Sequence, residues 1–174
     1  MRKLCLVLLV MFLGLIIIEK VCTAEETNLQ IEKRYVELIN QKRKLYGLKS
    51  LEVDPLLTTV ARDHSSDMRD KRYFAHCSPD GATPLDRYLH RLPYVPAYAL
   101  YGENLFWCSS AKDSTPENGV QAFMLSPSHR DNVLCEGYES IGVGVTTDKS
   151  GQIWVSVELA IIDPKPSMAI VAKK

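Results

Sequence analysis

Near its C-terminal end the chain reads Ile141-Gly142-Val143-Gly144-Val145 and then, past a polar loop, places Ile153, Val155, Val157 and Leu159 at every second position. A period of two puts those side chains on one face of an extended strand. The first segment therefore has one apolar face and one face of bare backbone. The connection Asp148-Lys149-Ser150-Gly151 is short, so the two segments form an antiparallel hairpin. Whatever else the chain builds must pack against that hairpin.

Upstream the period is helical. Leu29, Ile31, Tyr35, Leu38 and Ile39 recur at helical spacing over 27–46, with Gly47 as a stop. Asp54-Pro55 is a cap followed by a proline that needs no amide hydrogen. It opens a second helix to about Arg69, with Leu57, Val60, Ala61, His64 and Met68 on the buried side. Tyr73 to Ser78 is extended and ends in the turn Pro79-Asp80-Gly81, and Thr83-Pro84 starts a brief helix through Leu89. Residues 92–99 read as a surface loop and 100–107 as a strand. Ser114, with Glu117 three residues on, offers a capping box for a helix that breaks at Ser126-Pro127, where another begins. Helices first and a hairpin last predict an α+β layered domain rather than a doubly wound parallel sheet.

The two ends lie apart from this domain. Arg2 and Lys3 precede an apolar run from Leu4 to Ile18, and Cys22-Thr23-Ala24 supplies small residues at a cleavage point, so residues 1–24 read as a signal peptide. The run is shorter than the ~20 residues of a spanning helix. Left uncleaved, it is the expected route to a membrane. The domain is expected over 25–163, with a loose tail at 164–174 after Asp163-Pro164-Lys165-Pro166, in a secreted or extracytoplasmic protein. Loss of the leader removes Arg2, Lys3 and Lys20 against Glu19 and turns a balanced chain slightly acidic. With no basic cluster, a nucleic-acid surface is excluded. Cys77, Cys108 and Cys135 remain, an odd number that leaves open one disulfide with a free thiol, an intermolecular bridge, or three thiols. Oligomeric state is not legible.

Three stretches carry chemistry. Ser126-Pro127-Ser128-His129 puts His129 in the first turn of a helix, among amides with no intrahelical partner. Phe74-Ala75-His76-Cys77-Ser78 and Gly102-Glu103-Asn104-Leu105 supply His76 and Glu103 from other elements. Two imidazoles and a carboxylate are the ligand types of a catalytic zinc with one open position, and equally an acid–base set that needs no metal. His64, on the apolar face of the second helix, reads as a hydrogen-bonded core histidine or as support for the site. Cys77 points away from whatever His76 faces, since neighbours on an extended chain alternate.

These stretches, with Ser126-Pro127-Ser128-His129-Arg130-x-Asn132-Val133-Leu134, Ile141-Gly142-Val143-Gly144 and Asp63-His64-Ser65-Ser66-Asp67-Met68, resemble the CAP superfamily of cysteine-rich secretory, antigen 5 and pathogenesis-related 1 proteins. The match is to its bacterial SCP-like branch and covers roughly 30–160. The resemblance implies a three-layer α-β-α sandwich with a central antiparallel sheet. It also implies a cleft holding two histidines and two glutamates, of which His76, Glu103 and His129 take three places, with His64 and Asn104 behind them. The second glutamate is replaced by Ser126, a hydroxyl expected to cap the helix that follows. That loss counts against an acid–base machine and leaves His76, His129 and Glu103 as candidate ligands of a divalent cation such as zinc. The expectation is a non-catalytic cleft that binds a cation, a small hydrophobic lipid or a glycan. The alternatives are a metal-dependent hydrolase or peptidase at the cell envelope and a purely structural extracellular module.

Overall fold

The structure, a computed structural model, describes residues 27–163. The signal peptide expected at 1–24 and the tail expected at 164–174 lie outside the described residues. In chain order the elements are α1 (27–45), β1 (Glu52–Val53), α2 (Pro55–Lys71), α3 (Pro84–Leu89), β2 (Ala99–Cys108), α4 (Pro116–Leu125), α5 (Pro127–Leu134), β3 (Ser140–Thr147) and β4 (Ile153–Ile162).

β3 and β4 form the expected hairpin, with Val143 opposite Val157 and Val145 opposite Val155. β2 pairs antiparallel with the other side of β4 along its whole length. The order is β1-β3-β4-β2, so β4 is central and β2 is an edge. The three long strands are antiparallel as expected. The two-residue β1, too short to show an alternation, joins β3 in parallel and makes the sheet mixed.

Both faces of the sheet are covered. α2 lies on the bare backbone of β3: a Cβ on Gly142 would stand 2.2 Å from the carbonyl carbon of Leu57, and one on Gly144 2.1 Å from that of Ala61. Glycine is what lets helix and strand approach so closely. Asp54 caps α2 as predicted, accepting from the amides of Leu56 and Leu57 at 2.7 and 2.8 Å. The buried stripe is the predicted one with Ser65 added. The helix runs two residues past Arg69, to Lys71, and stops where Arg72 turns left-handed at φ 57°.

On the opposite face Ile141, Val143, Val145, Ile153, Val155, Val157 and Leu159 meet Tyr35, Leu38 and Ile39 of α1, Val120 and Phe123 of α4, and Val133 of α5. This is the three-layer α-β-α arrangement. α1 stops at Gly47, whose φ of 75° suits glycine. Just before it, the buried Arg43 donates to the carbonyls of Lys49, Val133 and Cys135 at 2.9, 2.9 and 2.8 Å, tying α1 to the end of α5. One cap differs from expectation. Thr115, immediately before Pro116, caps α4 by accepting from the Asn118 amide at 3.2 Å. Ser114 is one residue too early and donates to the Ser110 carbonyl instead, at 2.7 Å. Cys77, Cys108 and Cys135 are free thiols, Cys77 exposed.

Candidate functional site

The site grows from the edge position of β2. Glu103 and Asn104 are consecutive, so their side chains leave opposite faces of the strand. Glu103 faces the α2 layer, with its side chain only 1% exposed. Its Oε1 accepts from His76 Nδ1 at 2.7 Å. Its Oε2 accepts from Arg87 of α3. Arg87 also donates to the His76 carbonyl at 2.7 Å, so one guanidinium clamps both residues.

Asn104 faces the other layer. Its amide donates to the His129 carbonyl at 2.9 Å, and Asn132 donates to Asn104 Oδ1 at 2.9 Å and to the Glu103 carbonyl at 3.2 Å. The start of α5 is thereby fastened to the β2 edge. His129 lies edge-on against Phe123, and its ring centroid is 6.5 Å from that of His76. Three stretches far apart in sequence thus meet at one strand edge. His76 is 52% exposed there and His129 is half-buried.

His64 is buried behind this edge. Its Nε2–H donates to the Ala75 carbonyl at 3.1 Å and stands 3.6 Å from Glu103 Oε2. Burial, with help from Arg87, lowers its pKa to about 4, so it is neutral. It braces the segment that presents His76. Ser126 departs from expectation. It occupies the N-cap position of α5 without capping it: its side chain makes no cap hydrogen bond, and Oγ lies 3.5 Å from Ser128 Oγ instead.

Two further residues, Arg87 and Glu158, belong to the site and were not singled out from sequence. Glu158 is fully enclosed and stands directly opposite Glu103 in the β2–β4 register. Ser156 Oγ lies 3.0 Å from Glu158 Oε1 and 3.3 Å from Glu103 Oε2, and Arg87 is 3.8 Å from Glu158. Two buried carboxylates with one guanidinium cannot both ionise cheaply. Burial pushes both groups up. Arg87 opposes the rise at both, in direct contact at Glu103 and from 3.8 Å at Glu158, where the neighbouring Glu103 adds to it. The rise is the larger at Glu158, so the proton is held more readily there, while contact with Arg87 favours charge on Glu103. The serine has one proton for two oxygens, and a protonated Glu158 resolves the conflict by donating to Ser156, which donates to Glu103. The sequence did carry a signal: Glu158 is the one charged residue between Ile153 and Ile162.

Burial also lowers His76 and His129, with His76 itself adding to the effect at His129. Both imidazoles are neutral near pH 7. Because His76 Nδ1–H is spent on Glu103, its Nε2 carries the lone pair, the orientation that a carboxylate imposes on metal-binding histidines. Among the described residues, no group of three or more His, Cys, Asp or Glu side chains is gathered as a ready metal cluster. Glu103 is joined to His76 and Arg87 rather than open to the cleft.

The profile of the Cysteine-rich secretory protein family, CAP, matches residues 36–158. The chain belongs to the CAP family. It is 39% identical over 141 residues to the uncharacterized protein YkwD of Bacillus subtilis, covering 76% of this chain and 51% of that one. The chain thus spans about half the length of this curated relative. The CAP architecture is also that of an extracellular protein containing a SCP domain from Bacillus anthracis, with TM-score 0.66 and 28% identity over 80% of this chain and 42% of the other. NaASP2, solved with Zn2+, shares the fold at TM-score 0.51 and 14% identity, covering 74% of this chain and 78% of that one.

Proposed function

We propose that this CAP domain is an extracytoplasmic, non-catalytic binding module whose His76–His129 cleft takes a divalent cation of the zinc type. The observation that carries the reading is the bond from His76 Nδ1 to Glu103 Oε1 at 2.7 Å, which leaves Nε2 for the cleft beside a neutral His129. The two rings, 6.5 Å apart by centroid, are within reach of one ion once they turn toward it. The donor set fits: imidazole nitrogen is a preferred zinc ligand, and a carboxylate on the second ring nitrogen raises its basicity. Of the three expected ligands, His76 and His129 supply nitrogens and Glu103 orients His76. Water, or a ligand group delivered by the cation, completes the coordination.

The non-catalytic assignment rests on where the carboxylates are. A zinc-held water needs a base to draw its proton during hydrolysis. Glu103 is occupied by His76, Arg87 and Ser156, Glu158 is sealed beneath the sheet face, and Ser126 stands where a second cleft carboxylate was expected. The extracytoplasmic placement is supported by the leader-like residues 1–24 and by the extracellular relative. Among the described residues no helix is long and apolar enough to cross a membrane.

The test is calorimetric zinc titration of metal-stripped protein beside the His76→Ala/His129→Ala variant. One-to-one saturable binding that disappears in the variant supports the reading. Absent binding, or binding that the variant retains, overturns it.

A further inference from the structure

Beyond Glu103, at the C-terminal end of β2, the surface holds a second, open cleft of about 690 Å³ with an aromatic floor. Tyr73 and Phe74 come from the segment that leaves α2, and Trp107 and Trp154 face each other across the β2–β4 register. Phe74 and Trp107 are 49% and 44% exposed. Large rings left this open and gathered in one concavity mark a binding surface more often than an accident of packing.

The rim is polar and electrically balanced. Arg69 pairs with Asp70 at 2.7 Å. Asp148 Oδ1 accepts from the Ser150 amide, the Ser150 hydroxyl and the Gln152 amide at 2.8, 2.7 and 3.0 Å, which leaves Oδ2 to spare. The guanidinium of Arg72 and the side-chain amide of Gln152 make no hydrogen bond among the described residues. Arg69 and Arg72 balance Asp70 and Asp148, so the rim sets up no net field.

We propose that this cleft binds a neutral oligosaccharide of pyranose sugars, with its rings stacked on Phe74 and Trp107 and its hydroxyls held by Arg72, Gln152 and Asp148. A pyranose offers a flat C–H face to the electron-rich face of an aromatic ring. Its adjacent hydroxyls match the planar guanidinium, amide and carboxylate groups, which present two donors or acceptors side by side. The other chemistries fit worse. A polyanion meets as many acids as bases. An acyl chain would strip water from Arg72, Gln152 and Asp148 without replacing its hydrogen bonds. The volume falls within the ~300–1,000 Å³ of small-molecule sites. Trp107 lies four residues from Glu103 along the strand, ~13 Å, and neither His76 nor His129 lines this cleft, which is therefore distinct from that pair.

The experiment titrates the purified protein with chitotetraose, cellotetraose and maltotetraose, following tryptophan fluorescence and heat. Trp107→Ala, Gln152→Ala and His76→Ala/His129→Ala variants are measured alongside, each first shown to unfold cooperatively. The expected result is saturable binding of at least one tetrasaccharide that high salt leaves unchanged. Trp107→Ala weakens it by about tenfold or more, Gln152→Ala by several-fold, and the double histidine variant leaves it intact. Silence with all three sugars overturns the proposal. So does binding that Trp107→Ala leaves unaltered, or saturation of the cleft by a proline-rich peptide or a fatty acid in place of sugar.

Discussion

Replacing Arg87 by Met removes the one arginine or lysine that, among the described residues, faces Glu103 and Glu158, and keeps most of the side-chain volume. In the parent, Arg87 contacts Glu103 Oε2, donates to the His76 carbonyl at 2.7 Å and stands 3.8 Å from Glu158. Its loss leaves the Glu103 carboxylate buried, with His76 Nδ1–H and the Ser156 hydroxyl as its remaining donors. Breaking one side of a buried pair costs about 3–5 kcal/mol, because the surviving charge keeps two neutral donors but neither a counter-charge nor water. A domain of this size has a total stability of about 5–15 kcal/mol. The change should therefore lower Tm by roughly 10–20 °C. The sign with pH follows from the carboxylate. Without Arg87 the folded-state pKa of Glu103 rises further above its unfolded value, so the folded form binds more protons. Stability is then fullest below the ordinary glutamate pKa and is lost as pH rises through the folded one. The deficit should be large at pH 7.5 and shrink toward pH 4.5, and adding Glu103→Gln to the variant should recover much of it at neutral pH. Denaturant unfolding across that range, as a double-mutant cycle, measures all three quantities. A deficit below about 1 kcal/mol at pH 7.5, or one that does not change with pH, would show that Arg87 does not hold the Glu103 charge in place.

Glu158→Gln is the complementary change. Glu158 is raised well above the usual glutamate value by burial and by Glu103, so in the parent it weakens the fold as pH climbs above the ordinary glutamate range. The amide cannot ionise, and the variant should match the parent near pH 4.5 and exceed it at pH 8 in chemical unfolding; equal pH slopes would count against a protonated Glu158. Gly144→Ala should cost about 3 kcal/mol or prevent folding, because its Cβ would meet the α2 backbone 2.1 Å away, where nothing flexible can give. Thermal unfolding of that variant close to the parent's would show that α2 can lift off the sheet.

How much of this could be read from the sequence depended on whether the signal was local. The hairpin, the Asp54 cap and the buried stripe of α2 all declare themselves within a few residues through period and capping chemistry. Gly142 and Gly144 announced a bare face, although only the fold shows that α2 fills it. β1 escaped because two residues cannot display an alternation, and it exists only where β3 offers an edge. Arg87 and Glu158 escaped for a different reason. Glu158 matters because the register sets it against Glu103, and Arg87 because α3 packs over both. Neither fact has a footprint in linear spacing. The lone charge in an apolar central strand was nevertheless a usable warning. Ser126 shows the converse error: a residue of the right type at a helix start whose hydroxyl does not cap it.

In the proposed site Glu103 orients His76 rather than binding the cation itself. The most direct test is anomalous diffraction at the zinc edge from crystals of the zinc-soaked protein. One peak is expected, bonded to ring nitrogens of His76 and His129, with Glu103 Oε1 still on His76 Nδ1 and Oε2 still on Arg87. A peak bonded to Glu103, or one far from both histidines, would contradict this arrangement.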